Sequence, residues 1–154
     1  MILGIDPGCS GGLVVMDMNG DHIDHMLMPT IKIGKSSRVN AAMLADWVRS
    51  FDIHHCFIEK VHSMPGQGVS STFTFGHSAG VVEGVVAGAG IPLTLISPQS
   101  WKKHAGLIGK DKDAARSRAI QLFPSLRILD LKGKGQAIAD ALLISRLGLC
   151  LLKE

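Results

Sequence analysis

Two apolar runs at the start of the chain, ILGID and GGLVVMD, stand only four residues apart, across Pro7, Gly8, Cys9 and Ser10. They read as two strands joined by a glycine-rich turn. Asn19-Gly20-Asp21 is then a strong hairpin signal, because both central positions of a tight hairpin favour Asn, Asp and Gly. HIDHMLM alternates as a third antiparallel strand. From Arg38 the spacing changes, and Val39, Met43, Leu44, Trp47 and Val48 share one face of a helix. HHCFIEKV is a fourth strand and LTLIS a fifth. Between them STFTFGHSAGVVEGVVAGAG suits a helix packed closely through Gly and Ala. DKDAARSRAIQLF forms a helix stopped by Pro124, and GQAIADALLISRLGLCLL a final one. The order β-β-β-α-β-α-β-α-α gives an α/β fold, in which three antiparallel strands are extended by crossover strands into a five-stranded mixed sheet flanked by helices. Positions 106–110 and 132–135 are the expected mobile pieces.

At 154 residues and 46% hydrophobic, residues 1–154 suffice for one domain with a real core. Cys9, Cys56 and Cys150 are scattered and odd in number. That fits buried thiols in a reducing compartment rather than a disulfide framework or zinc site. No basic, signal-like segment opens the chain, and runs such as LLISRLGLCLL are interrupted by charge and too short to span a bilayer. A soluble cytoplasmic protein without a membrane partner is expected. The net charge of +3 is unevenly placed. Between Trp101 and Gly135 lie Lys102, Lys103, Lys110, Lys112, Arg116, Arg118, Arg127, Lys132 and Lys134, against only Asp111, Asp113 and Asp130. Such a block is either an ordinary solvated face or a phosphate-binding surface.

Three acids sit where acids are costly. Asp6 ends the first buried strand, Glu59 lies within CFIEKV, and Asp140 lies within AIADALL. The first and fourth strands are natural parallel neighbours, which sets Asp6 beside Glu59, and a final helix crossing the sheet can bring Asp140 to them. Like charges so grouped raise one another's pKa, and the usual relief is a divalent cation with oxygen ligands, Mg²⁺ or Mn²⁺. Three separately satisfied structural acids are the alternative.

ILGIDPG, IEKV, FTFGHSAGVVEGVVAGAGIP, ISPQSWKKHAGLIGKDKDAAR and AIADALLIS, in this order and spacing, resemble the RuvC-type Holliday-junction resolvases of the ribonuclease H-like nuclease superfamily. The resemblance runs almost end to end. It implies a ribonuclease H-like fold, a homodimer, and Mg²⁺-dependent cutting of four-way or other branched DNA, leaving a 5′ phosphate and a 3′ hydroxyl. Asp6, Glu59 and Asp140 match the family's catalytic, metal-binding acids. Two ions roughly 3.5–4 Å apart would clamp one phosphodiester, with Asp6 bridging them and Lys112 offsetting phosphate charge. Lys102, Lys103, Lys110 and Arg116 fall in the basic segment expected to meet DNA. The resemblance also implies a dimer joined through the helix at about 72–89, where Ser78, Ala79, Gly80, Gly84, Ala87 and Gly88 permit close approach. The glycines at 8, 11 and 12 would let a nucleic-acid backbone reach Asp6 and make the turn tight.

Two departures stand out. Where the family often carries a further metal ligand, three residues before the last aspartate, this chain has Ala137, with Gln136 beside it. Where the family often places a junction-wedging aromatic, this chain has His62, and the following SMPGQGVSS is a slightly longer loop. The short length and these departures suit a bacteriophage member. His22 and His25, on a strand, point to opposite faces, as do His54 and His55. Trp47 and Trp101 are read as core. GIDPGCSGG superficially resembles the phosphate loop of actin-like ATPases, which need a second domain of similar size. A noncatalytic branched-DNA-binding module and a nuclease acting on RNA–DNA hybrids are the other readings.

Overall fold

Every residue of the first two strands is buried, and their side chains sort by parity into two cores. Ile2, Val14, Met16 and Phe57 join one apolar cluster; Leu3, Ile5, Leu13, Val15, Cys56 and Ile58 join the other. This is the period of two that strands impose, with a core on each face of a central sheet.

The computed structural model describes residues 1–63 and 65–154; of the expected loop SMPGQGVSS, Met64 lies outside the described residues. The strands are β1 (Ile2–Ile5), β2 (Gly12–Met16), β3 (His22–Leu27), β4 (Thr30–Ile33), β5 (Ser36–Val39), β6 (His55–Glu59) and β7 (Leu93–Ile96). The helices are α1 (Ala41–Arg49), α2 (Val69–Gly88), α3 (Pro98–His104), α4 (Ala114–Leu122) and α5 (Lys132–Lys153), with a 3-10 turn at Arg127–Asp130. The main sheet runs β3-β2-β1-β6-β7, antiparallel across the first three strands and parallel from β1 through β6 to β7. This is the five-stranded mixed sheet expected from the sequence.

Four features differ from expectation. Residues 30–39 form a separate two-stranded hairpin, so Arg38 and Val39 lie in a strand and the first helix starts later. Pro98–His104 forms a helix, capped by the Ser97 side chain, which accepts from the Ser100 N–H. Positions 132–135 form the first turn of α5, where Gly135 N–H donates to the Leu131 carbonyl at 2.7 Å. Finally, a register shift between Val15 and Met16 interrupts the β2–β3 ladder, opposite His22 and Asp24. The break in alternation brings His22 and His25 together, Nε2 to Nδ1 at 3.1 Å, instead of on opposite faces.

Helix α5 is the spine of one core. Its 22 residues are long and apolar enough to cross a bilayer, longer than the runs considered in the sequence, yet two-thirds of that stretch is buried inside the protein. Close approach sets its position. A Cβ at Gly4 of β1 would stand 2.1 Å from Ser145 Oγ and 2.6 Å from the Ala141 carbonyl oxygen. A Cβ at Gly148 would stand 2.2 Å from the Phe57 ring. The missing side chains let α5 lie directly against β1 and β6.

Candidate active site

The parallel register pairs Ile5 with Ile58, so the next residues, Asp6 and Glu59, stand at neighbouring strand ends. Ile5 and Ile58 belong to the core beneath α1 and α2; by alternation Asp6 and Glu59 face the opposite side, toward α5. Gly4 lies beneath Ala141 and Ser145. Moving two residues along β1 covers about 6.6 Å, and moving one turn back along α5 covers about 5.4 Å. Asp140 and Gln136 therefore come over the carboxyl end of β1. Such strand ends, where a sheet changes direction of winding, are the usual place for a site in an α/β fold.

Asp6, Asp140, Gln136, Ala137 and Lys112 line an open cleft of about 740 Å³, with Gly8, Cys9 and Gly11 on the β1–β2 turn and Ser70, Ser71, Thr74, Phe75 and Ser78 of α2 opposite. Of the two roles expected of the glycines, the tight turn is the one their surroundings support. Gly8 and Gly11 do border the cleft, but a Cβ on Gly11 would strike the Asp6 carbonyl at 2.1 Å, and one on Gly12 would stand 2.9 Å from Ile138. These glycines close the turn and seat α5; protein atoms, rather than open cleft, occupy the space their side chains would take.

Burial, and then repulsion from Glu59, raises the Asp6 pKa from 3.8 to about 6, against a stabilising backbone hydrogen bond at Gly8. Burial, followed by the charges of Asp6 and Glu59, raises Asp140 to about 7, opposed by Gln136 and Lys102. Burial also raises Glu59, opposed by the Trp101 hydrogen bond and then by Lys102 and His62. The three acids thus share one electrostatic site. Two have a neutral N–H donor in hydrogen-bond contact, Trp101 Nε1 to Glu59 Oε2 at 2.6 Å and Gln136 Nε2 to Asp140 Oδ1 at 2.9 Å, while the Gly8 backbone favours the charged form of Asp6. Among the described residues, no ion pair involves Asp6, Glu59 or Asp140.

The donor set fits a hard divalent cation in kind. It offers carboxylate oxygens and one further oxygen, Gln136 Oε1, which is buried and has no hydrogen-bond partner. Among the described residues, no three His, Cys, Asp or Glu side chains are drawn together tightly enough to enclose an ion by themselves. The acids stand within electrostatic reach of one another rather than in a closed ligand cage.

The basic residues divide. Lys102 acts on Glu59 and Asp140, and its ammonium lies 5.3 Å from the Trp101 ring centroid. Lys102, Lys110 and Lys112 line a second groove that shares Gln136 and Asp140 with the first. His62 is exposed and close enough to act on Glu59. Lys103 is exposed on α3 and lines neither groove. Arg116 is half-buried, and its Nη1 donates to the Leu129 carbonyl at 3.1 Å, bracing α4 against the 3-10 turn. Sequence reasoning placed Trp101 in the core, where it is (2% exposed), but missed its bond to Glu59. The pair is 42 residues apart, and only the ISPQSWKK stretch, flanking the basic segment, pointed toward it.

The model of the family "crossover junction endodeoxyribonuclease RuvC" matches residues 2–146. Among solved structures, RuvC of T. thermophilus in complex with a Holliday junction substrate aligns with a TM-score of 0.64 at 19% identity, covering 96% of each chain. A second Thermus thermophilus RuvC structure aligns with a TM-score of 0.57 at 17% identity, again over 96% of each chain. No curated protein sequence matches. At these identities the structures establish the fold, and the family model covers nearly the whole chain. The protein belongs to the RuvC family of crossover junction endodeoxyribonucleases, metal-dependent nucleases of ribonuclease H-like fold.

Proposed function

We propose that residues 1–154 act as one nuclease domain, in the cytoplasm, that resolves four-way DNA junctions by paired phosphodiester hydrolysis with Mg²⁺, for which Mn²⁺ substitutes, at two ions per site. The observation that carries this reading is the convergence of Asp6, Glu59 and Asp140 from three separate elements on one strand end: Asp6 and Asp140 line the cleft, Glu59 acts on both through its charge, and burial raises the pKa of all three. Those three side chains would hold the ions, with Gln136 Oε1 as a neutral fourth oxygen beside Ala137. Bound there, the ions supply Lewis-acid stabilisation of the phosphate and an activated water.

The chain's own groups do the rest. Lys112, on the cleft wall, offsets charge growing on the phosphate. Lys102 and Lys110 extend the positive wall along the adjoining groove. Lys103 and His62 are exposed and free to meet DNA, and Arg116 adds a fixed positive charge on α4. Their contacts are with phosphate, so binding weakens with salt.

Paired nicks need two sites, and α2 offers a surface for a homodimer. Ser78 and Ala79, expected in that interface, are buried instead within the protomer, alongside Val82 and Val86. The outer ridge is Gly76, Gly80, Gly84 and Gly88, four residues apart; a Cβ at any of them would meet nothing within 4 Å among the described residues. That open ridge permits backbone-close packing of a second copy.

The test uses purified protein, Mg²⁺ and matched four-way, three-way, duplex and RNA–DNA hybrid substrates, with every cut mapped. Symmetric nicks in the four-way junction, with 5′ phosphate ends, are expected. Cutting confined to hybrids, or junction binding without cutting, would overturn the proposal.

A further inference from the structure

Glu59 is held differently from the other two acids. Its Oε2 accepts from the Trp101 indole N–H at 2.6 Å, a short distance for N–H···O. Trp101 is itself immobile: 2% exposed, part of the core cluster that contains Leu107, Leu129 and Leu142, and carried on a helix whose start is capped by Ser97. An indole offers one donor and no acceptor. It therefore occupies one lone-pair position on one oxygen and leaves the other lone pairs of the carboxylate unused by the indole. Unlike a lysine or arginine in the same place, it orients the carboxylate without cancelling its charge. Lys102, the cation that acts most on Glu59, follows Trp101 in sequence, so one short helix supplies both the hydrogen bond and a moderating charge.

We propose that Trp101 is a positioning residue for the nuclease reaction: its indole N–H fixes the orientation of the Glu59 carboxylate beside Asp6 and Asp140 without bringing a countercharge to it. This rests on the metal-site reading above. A purely structural tryptophan would only be using Glu59 to satisfy its own buried N–H, and the two roles differ in what removal of the N–H does.

Three full-length proteins separate them: wild type, Trp101→Phe, and protein carrying 3-benzothienylalanine at 101, which keeps the bicyclic shape but has no N–H. Each is assayed for junction kcat and KM, and for Mn²⁺ binding by calorimetry without DNA. Supporting groups of metal ligands are worth about 10–100-fold in affinity or activity, so the benzothienyl protein should lose kcat and Mn²⁺ affinity by about that factor. Its melting temperature and junction KM should stay close to wild type. In a Trp47→Phe background, Mg²⁺ titrated without DNA should shift Trp101 emission. Wild-type kcat and Mn²⁺ affinity in the benzothienyl protein would overturn the proposal, as would Trp101 emission indifferent to Mg²⁺. Failure of wild type itself to cut any branched DNA would instead sink the junction-resolving reading, while the Mn²⁺ comparison would still decide the role of Trp101.

Discussion

Replacing Asp140 with asparagine should make the metal-free protein more stable while destroying its activity. Asp140 titrates at about 7 in the folded protein against an ordinary 3.8, chiefly because it is buried and then because Asp6 and Glu59 repel it. Below about pH 4 the side chain is protonated in both folded and unfolded chains and costs nothing. As pH rises, the unfolded chain gives up its proton first, so stability is lost progressively and the loss is complete above about pH 7. At about 1.36 kcal/mol per pH unit, the interval caps the penalty near 4 kcal/mol. Asp140 borders an open cleft where water screens it, so about 2–3 kcal/mol is the expected effect. Asparagine keeps the shape and an oxygen for Gln136 Nε2. For a chain of this size, 1 kcal/mol moves the melting temperature by roughly 2–4 °C. In EDTA, Asp140→Asn should therefore melt about 5–10 °C above wild type at pH 8 and level with it at pH 4. Mg²⁺ should then narrow the gap by stabilising wild type alone. Equal melting temperatures at pH 8, or a gap that does not depend on pH, would refute the reasoning.

Asp6→Asn and Glu59→Gln should each abolish junction cutting, with junction binding in gel-shift titrations reduced no more than about threefold; retained turnover in both would remove the acids from the reaction. Ala137→Asp places a carboxylate one turn before Asp140 and should lower the Mg²⁺ concentration for half-maximal cutting, whereas Gln136→Ala should raise it if Oε1 faces the ions. Gly148→Ala forces a methyl into the Phe57 ring and should cost at least about 1–3 kcal/mol in urea unfolding. Gly80→Leu, with open space around it in the protomer, should leave the monomer's melting temperature within a few degrees but shift sedimentation toward monomer.

The main sheet was legible because its signals are local. β1 and β2 are continuous apolar runs, the turn at Asn19-Gly20 is short, and Gly20 does adopt a positive φ of 98°. The acids were legible because carboxylates among Ile, Leu and Ala are conspicuous, and strand parity puts Asp6 and Glu59 on one face. The β4–β5 hairpin was missed because β4 is exposed along its whole length and carries no burial pattern, although Gly34 in its tight turn, at φ 62°, was a usable sign. The meeting of His22 and His25 depends on a ladder irregularity that leaves no mark in composition. The bonds of Trp101 to Glu59 and of Arg116 to Leu129 join residues distant in sequence, so only the assembled fold could supply them.

The contacts of α5 with β1 and β6 bear on how the enzyme chooses its DNA. A helix seated on Gly4 by Ala141 and Ser145, and on Phe57 by Gly148, has no room to slide or roll without collision. One turn of travel would be about 5.4 Å, far more than that seam allows. Asp140 is therefore delivered at a set height above Asp6 before any substrate arrives, and the mismatch between site and substrate falls on the nucleic acid. A stiff duplex that had to bend to fit would do so at a cost of several kcal/mol or less, depending on sequence and angle. A four-way junction, which flexes where its paired arms meet, would fit at a lower cost. A rigid spine inside the protein thus makes the compliance of the DNA, and not that of the helix, the quantity that sets how closely a strand can approach the acids.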